Sequence, residues 1–193
     1  MVALPDVVQS DPVVLHRRRP SDVPELLAAI ESSITELSAF LRWAAGEAPS
    51  RAGLERAVAA GDAAFAAGTG FEYVLRESST GEVVGEAGGE VGKGEVVDIG
   101  YWVRSDRTGR GYATAAARAV TSVAFDVFPD VKSVEIRMDD GNVRSRSVAI
   151  RLGFTHVGDE RFDGERLSGQ TGVGHIYSVA RSDWGDAHSR REP

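Results

Sequence analysis

The sequence contains no cysteine, which excludes disulfide bonds, thiolate metal sites and cysteine nucleophiles. Its four histidines, His16, His156, His175 and His188, lie far apart along the chain without the spacing of metal ligands, so no metal is expected. No apolar run approaches the length of a membrane span. The first twelve residues also lack the basic and apolar regions of a signal peptide. These absences predict a cytoplasmic protein without a membrane partner.

Positive charge is scarce as well. The 22 lysine and arginine residues are outnumbered by 29 aspartate and glutamate residues, which gives a formal net charge of −7. This balance argues against nucleic acid as the main partner and is compatible with a cationic or amine substrate. A chain of 193 residues, 42% of them hydrophobic, is long enough for one domain with a buried core, either as a monomer or as a homodimer.

The hydrophobic pattern divides the chain into three parts. Residues 1–12 contain two prolines and are predicted to be an irregular lead-in, whereas residues 185–193 form a polar tail. Between them, residues 13–184 form the domain. Strand-like alternation and helical periodicity follow each other across residues 95–162, which predicts a parallel strand pair joined by a crossover, with antiparallel hairpins before it. The expected fold class is therefore α/β (mixed α+β), with one central sheet.

The stretch "RTGRGYATAAARA", residues 107–119, joins an apolar strand to a helix through two glycines. The first N–H groups of a helix have no intrahelical partner, and Gly109 and Gly111 place no side chain in front of them. Thr114 adds a hydroxyl. This pattern predicts a phosphate-binding helix N-terminus, although close packing of small residues on a sheet requires a similar composition. The spacing fits neither a P-loop nor a dinucleotide-binding fingerprint.

A second motif, "NVRSRSVAIRLGF", begins at Asn142. Together with "IGYWVRSDRTGRGYATAAARAVTSVAF" it closely resembles the GNAT superfamily of acetyl-CoA-dependent N-acetyltransferases, in the RimJ/RimL-like branch. The family's coenzyme loop reads [QR]-x-x-G-x-[GA], which residues 108–113 match except that Thr108 replaces Gln or Arg. The resemblance extends over residues 13–184.

This resemblance implies a mixed, splayed sheet of six or seven strands and acetyl-CoA as co-substrate. It also implies that the amides of the glycine loop hold the pyrophosphate and that Asn142 contacts the coenzyme arm. The implied coenzyme-binding residues are Val103, Thr108, Arg110, Gly111, Tyr112, Ala113, Thr114 and Asn142.

Two residues are predicted to be catalytic. Asp98 lies within an apolar strand, where a carboxylate is costly to bury, so it is either a general base for the amine or an ordinary residue on a partly solvated face. Glu160, Asp163 and Glu165 are alternative bases. Many GNAT enzymes place a tyrosine seven residues after the asparagine, but that position is Ala149 here. Ser145 is therefore the expected donor to the coenzyme sulfur, unless it only lines its helix.

Phe40, Trp43 and Glu165 are predicted to bind the acceptor, although the two aromatic residues also fit an ordinary core. The function implied is direct acetyl transfer to a primary amine within a ternary complex. The acceptor is a protein N-terminal α-amine, an amino acid or peptide, or a small-molecule amine. No acyl-enzyme is expected, because there is no cysteine and Ser145 has no nearby histidine in the sequence. The alternative is a non-catalytic acyl-CoA-binding or regulatory module of the same fold.

Overall fold

A computed structural model describes residues 3–46, 48–92, 95–161 and 164–184 of the chain. Its strands are β1 (Val7–Ser10), β2 (Val13–Arg17), β3 (Gly70–Glu77), β4 (Val83–Val91), β5 (Val96–Val103), β6 (Ser133–Asp139), β7 (Thr155–Arg161) and β8 (Val173–Ala180). Its α-helices are α1 (Val23–Glu31), α2 (Ile34–Ser38), α3 (Arg51–Ala67), α4 (Tyr112–Val127) and α5 (Val143–Arg151).

Within the described residues, eight strands form one sheet in the order β1-β2-β3-β4-β5-β6-β8-β7. All neighbouring strands are antiparallel except β5 and β6, which run parallel and are connected through α4. The predicted mixed α/β class and the parallel crossover are confirmed. The strand number is higher than the six or seven expected.

The prediction of an irregular lead-in over residues 1–12 is wrong, because Val7–Ser10 form β1 and pair with β2. The two prolines do not prevent this pairing. Pro5 precedes the strand and Pro12 lies in the turn that follows it, so neither removes a donor from the ladder. The Ser10 hydroxyl also donates to the Ala115 carbonyl at 2.9 Å, which connects the edge strand to α4. The predicted polar tail, residues 185–193, lies outside the described residues.

The helices cover both faces of the sheet. Small side chains of α4, including the fully buried Ala116 and Ala117, let this helix pack closely on one face, as the sequence predicts. On the opposite face, Leu26 and Ile30 of α1 pack against Trp102. None of the helices in the described part of the chain is both long and apolar enough to span a membrane.

Candidate active site

The central feature of the sheet is a fork between its two parallel strands. In the described residues β5 and β6 pair only over three rungs, from Val96–Ser133 to Asp98–Glu135. Beyond this point, residues 99–103 of β5 and 136–139 of β6 line the two sides of a cleft of about 1380 Å³. The facing strand edges therefore present backbone N–H and C=O groups to the cleft instead of to each other.

Helix α4 begins at the mouth of this cleft. Gly109 and Gly111 adopt φ values of 79° and 83°, which favour glycine, and a Cβ on either would meet nothing within 4 Å. The Ala115 N–H donates to the Gly111 carbonyl at 2.9 Å, so the amides that precede it in the first turn of α4 face outward. The helix has neither a side-chain cap nor an acidic residue in its first turn. This N-terminus is accordingly open to an anion.

Arginine side chains surround the same end of the cleft. The lining includes Arg107, Arg118, Arg144 and Arg151. Arg151 also donates from Nη1 to Thr114 Oγ1 at 3.0 Å, which connects α5 to the first turn of α4. The Tyr112 side chain is held by Glu77, because its hydroxyl donates to the Glu77 carboxylate. This hydrogen bond lowers the pKa of Glu77. The region is both positively charged and structurally constrained.

Helix α5 follows β6, and its first turn borders the cleft on that side. Asn142 caps this helix, with its Oδ1 accepting from the Ser145 N–H at 3.2 Å. The Tyr101 hydroxyl lies 3.1 Å from Ser145 Oγ and 3.3 Å from the Ser145 carbonyl oxygen. Burial raises the pKa of Tyr101 to about 12, so its phenol stays protonated near neutral pH. Ser145 therefore has a neutral hydroxyl partner across the cleft.

Asp139, the last residue of β6, organises the loops beside α5. Its buried carboxylate accepts from the N–H groups of Gly141 (2.9 Å), Thr171 (2.8 Å) and Gly172 (3.0 Å), and from the Thr171 hydroxyl (3.1 Å). Burial on its own raises the pKa of Asp139, but these hydrogen bonds outweigh it and hold the pKa below its ordinary value. The ionised carboxylate thus joins two loops at one point.

Arg137 of β6 lies among three carboxylates on the face of the sheet opposite α4. Its Nε donates to Asp98 Oδ1 at 2.8 Å and its Nη2 to Glu135 Oε2 at 2.6 Å, while Nη1 pairs with Glu160. Arg137 and Glu160 line the cleft, whereas the Asp98 side chain is about half exposed and does not. The structure therefore does not bring Asp98 and Ser145 into contact, and Arg137 lies between Asp98 and the cleft.

Most of the predicted site residues meet at the cleft. The lining contains Phe40, Val103, Thr108, Gly111, Tyr112, Ala113, Thr114, Asn142 and Ser145. Four other predicted residues are not part of it: Asp98, Arg110, Trp43 and Glu165. Asp163 lies outside the described residues.

Besides Asp98, the three predicted residues that do not line the cleft each have another environment. Arg110 extends toward Glu77, with 3.7 Å between Nη1 and Oε1. Trp43 is 54% exposed and its ring centroid lies 6.3 Å from that of Trp102. The backbone carbonyl of Glu165 accepts from Arg42 Nη2 at 3.1 Å. Their assigned roles, like that of Asp98, stay predictions.

Sequence reasoning did not identify several residues that reach the site. Tyr101, Arg137, Asp139 and His175 all line the cleft. The signal for Tyr101 was present, because it alternates with Ile99 and Val103 on the strand that leads into the glycine loop. The contact between His156 and His175, whose ring centroids are 5.1 Å apart, had no such local signal.

Comparison with known proteins defines the class. Residues 13–155 match the family described as Acetyltransferase (GNAT) domain, and the chain therefore belongs to this family. The resemblance derived from the two motifs is confirmed.

Individual relatives lie in the expected branch. The Putative ribosomal N-acetyltransferase YdaF of Bacillus subtilis (strain 168) is 34% identical over 87 residues, which span 45% of this chain and 46% of that protein. The match thus spans about half the length of this curated relative. The structure of RimL, a ribosomal L7/L12 alpha-N-protein acetyltransferase in complex with coenzyme A, has a TM-score of 0.80 at 20% identity over 90% of this chain and 97% of RimL.

A third relative has a different described role. The structure of MccE, a microcin C7 self immunity acetyltransferase in complex with acetyl-CoA and AMP, has a TM-score of 0.78 at 19% identity, over 91% of this chain and 98% of MccE. At such identities, the likeness to RimL and MccE establishes a shared fold.

Proposed function

We propose that this protein is an N-acetyltransferase that moves an acetyl group from acetyl-CoA to a primary amine by direct transfer. The observation that carries the proposal is the single cleft in which open strand edges, an uncapped helix N-terminus and the Tyr101–Ser145 pair follow one another. Family membership supports the activity. The described complexes of RimL with coenzyme A and of MccE with acetyl-CoA support the co-substrate.

The cleft fits the chemistry of acetyl-CoA in three segments. The amides of the pantetheine arm hydrogen-bond to the open edge of β5, residues 99–103. The pyrophosphate binds the outward-facing N–H groups at the start of α4, where a negative charge also interacts favourably with the helix dipole. Arg118, Arg144 and Arg151 balance the remaining phosphate charge. Thr108 contributes little, because its hydroxyl already donates to the Ser105 carbonyl at 3.1 Å.

The chemical step requires a neutral amine. A protonated acceptor loses its proton, through water, to a carboxylate of the Arg137 cluster, and its lone pair then attacks the thioester carbonyl. Asp98 is the base predicted from the sequence; Glu160 is the alternative, and it lines the cleft itself. As the new C–N bond forms, the C–S bond breaks and the electron pair leaves on sulfur.

Ser145 assists the departure of the thiolate. Either hydroxyl of the Tyr101–Ser145 pair can donate to the other. In the arrangement in which Tyr101 donates, the serine hydroxyl hydrogen is free to turn toward the sulfur and stabilise the developing negative charge. The proton that ends on the thiol comes from solvent or from the base that took it. Both substrates are bound together throughout and no acyl-enzyme forms, because the chain has no cysteine and the partner of the Ser145 hydroxyl is the neutral Tyr101 phenol rather than an activating base.

The acceptor class proposed first is a protein N-terminal α-amine. The names of YdaF, a putative ribosomal N-acetyltransferase, and of RimL, an alpha-N-protein acetyltransferase, support this choice. Glu36, Phe40 and Glu160 line the cleft and supply negative charge and an apolar wall for such a group. The discriminating assay is release of free thiol from acetyl-CoA with peptides bearing a free α-amine, compared with polyamines and aminoglycosides. Activity confined to the small amines would contradict this acceptor class.

The coenzyme site is tested by Gly111→Asp. The variant places a carboxylate in front of the α4 N-terminus, so we expect the affinity for acetyl-CoA to fall at least about 100-fold while the protein remains folded. Gly81→Asp is the matched control, because Gly81 also has a positive φ of 74° and open space around its Cβ position but does not line the cleft. Calorimetric titration with acetyl-CoA measures both. An unchanged affinity in folded Gly111→Asp would place the phosphates elsewhere.

Binding and turnover together decide between the enzyme and a non-catalytic module. Acetyl-CoA binding without thiol release for any amine would identify the chain as an acyl-CoA-binding module. Thiol release matched by acetylated product supports the enzyme. Failure of acetyl-CoA to bind would contradict both functions.

A further inference from the structure

Two histidines and an aspartate meet at the edge of the sheet that β7 and β8 form. His156 Nε2 and His175 Nδ1 lie 2.8 Å and 2.6 Å from the same atom, Asp159 Oδ1. The donor atoms of these three residues all lie within 4.8 Å of one another. His156 and Asp159 are exposed, and His175 is partly buried at the border of the cleft.

An irregularity in β7 creates this grouping. On a regular strand, residues three apart point to opposite faces of the sheet. Here the pairing of β7 with β8 shifts between His156 and Gly158, and the extra residue turns His156 and Asp159 toward the same side. Asp159 is also directly opposite His175 in the ladder. The bulge therefore gathers donors that the linear sequence separates.

The Asp140 carboxylate orients the His175 ring through the nitrogen that does not face Asp159. This second ring nitrogen, Nε2, lies 3.1 Å from Asp140 Oδ1, which also accepts from Arg146 Nη1 at 2.8 Å. A histidine that binds a metal through one nitrogen usually donates from the other to a carboxylate, which fixes the tautomer and the ring orientation. The ring of His156 is similarly restrained, lying between His175 and Tyr177 with centroid separations of 5.1 Å and 5.4 Å.

We propose that His156 Nε2, Asp159 Oδ1 and His175 Nδ1 form a binding site for a divalent transition-metal ion of the zinc class. Donor atoms on a tetrahedral zinc lie about 3.3 Å apart, as bond lengths of about 2.0–2.1 Å require, so small side-chain movements admit the ion. Two imidazoles and one carboxylate favour zinc, cobalt or nickel over calcium or magnesium, which prefer oxygen donors. The carboxylates of Asp159 and Asp140 balance the charge of the ion. Three protein ligands leave a fourth position for water.

The site has a structural consequence that is independent of acetyl transfer. Among the described strands, β7 lies at the edge of the sheet and pairs with β8 alone. A metal bound by two ligands of β7 and one of β8 joins the edge strand to its neighbour. We therefore expect saturating Zn²⁺ to raise the Tm by about 5–10 °C, the range expected for a ligand at roughly 100 times its Kd on a domain of this size.

The test uses the full chain without a histidine tag, purified with chelator and then dialysed. Titration with Co²⁺ is expected to give the visible d–d absorption of a low-coordinate site at one equivalent, and Zn²⁺ to displace it. His156→Ala and Asp159→Asn each weaken Zn²⁺ binding at least about 10-fold, and Asp140→Asn weakens it about 10–100-fold through the orientation of His175. His16→Ala, on β2, is the matched control and keeps the wild-type affinity.

Circular dichroism and Tm in the absence of metal verify that the exposed-site variants His156→Ala and Asp159→Asn are folded. The absence of a cobalt spectrum and of a Zn²⁺ titration at one equivalent would refute the site. Binding that survives unchanged in both folded variants would refute it as well. Either result would identify the cluster as a network of ordinary histidine–carboxylate hydrogen bonds.

Discussion

Asp139→Asn tests whether one carboxylate holds the two loops beside α5. The substitution keeps the shape of the side chain but replaces an acceptor oxygen with an amide that can only donate. If Oδ1 keeps its three partners, the Gly172 N–H faces the new NH₂ group and loses its acceptor. The three remaining bonds become neutral instead of charge-assisted.

The magnitude follows from this inventory. A hydrogen bond to a charged group contributes about 1.5–3 kcal/mol and a neutral one about 0.5–1.5 kcal/mol. Losing one of the first kind and weakening the others gives an expected destabilisation of about 3 kcal/mol. For a domain of this size, that corresponds to a fall in Tm of about 6–12 °C.

The pH dependence provides an independent check of the same residue. The pKa of Asp139 is lower in the folded protein than its ordinary value of 3.8, so its ionisation stabilises the fold above that value. This contribution is lost as the pH falls through the folded pKa. The stability difference between wild type and Asp139→Asn is therefore constant near neutral pH and shrinks below a pH of about 4.

Urea unfolding at several pH values measures both quantities, with Asp126→Asn as the control. Asp126 is an exposed residue of α4, and its substitution is expected to change the free energy of unfolding by less than about 0.5 kcal/mol. A destabilisation by Asp139→Asn of less than about 1 kcal/mol at neutral pH would refute the role of the carboxylate as the connection between the loops. A difference that does not shrink in acid would refute its ionisation as the cause.

Two other substitutions address the proposed role of Ser145 and the buried charges. Ser145→Ala is expected to lower turnover about 10–100-fold with nearly unchanged acetyl-CoA affinity, because the proposed contact of Ser145 with the leaving sulfur develops in the transition state; equal kcat in steady-state assays would contradict this role. Glu86→Ala is expected to destabilise the protein by about 3 kcal/mol, because it leaves the buried Arg18 without its 3.2 Å partner and removes the acceptor of the Trp102 N–H. Unchanged urea unfolding would show that Glu72, 2.7 Å from Arg18, is a sufficient partner.

The parts of the site that sequence could predict are those set by local chemistry. Two glycines with positive φ before a helix of small residues specify the open N-terminus and its close packing within one continuous stretch. Asn142 likewise identifies the start of α5, because an asparagine side chain is a favoured cap of the helix that follows it. For these features, the side chains and their partners are separated by only a few residues.

The parts that sequence could not predict depend on which strands become neighbours. Arg137 collects carboxylates from three strands, so the reading of Asp98 as a lone carboxylate in an apolar run omitted its partner. His156 and His175 meet through a bulge in β7, which no residue pattern announces. The prediction of an irregular lead-in failed for a related reason, because β1 forms by pairing with the edge of β2 and not through a pattern within residues 1–12.

The fork between β5 and β6 also limits how far a ligand can enter the cleft. In the proposed complex, a chain-like ligand that enters from the wide end meets the last paired rung, Asp98 with Glu135, where the two strands close. In the proposed reaction, the position of the thioester is therefore set by the register of the sheet itself. A slip of one residue between these strands would move this limit by about 3.3 Å. A displacement of the reacting atoms by about 1 Å already costs roughly 100-fold in rate. Correct pairing of β5 with β6 during folding is therefore a condition for the alignment of the reacting atoms.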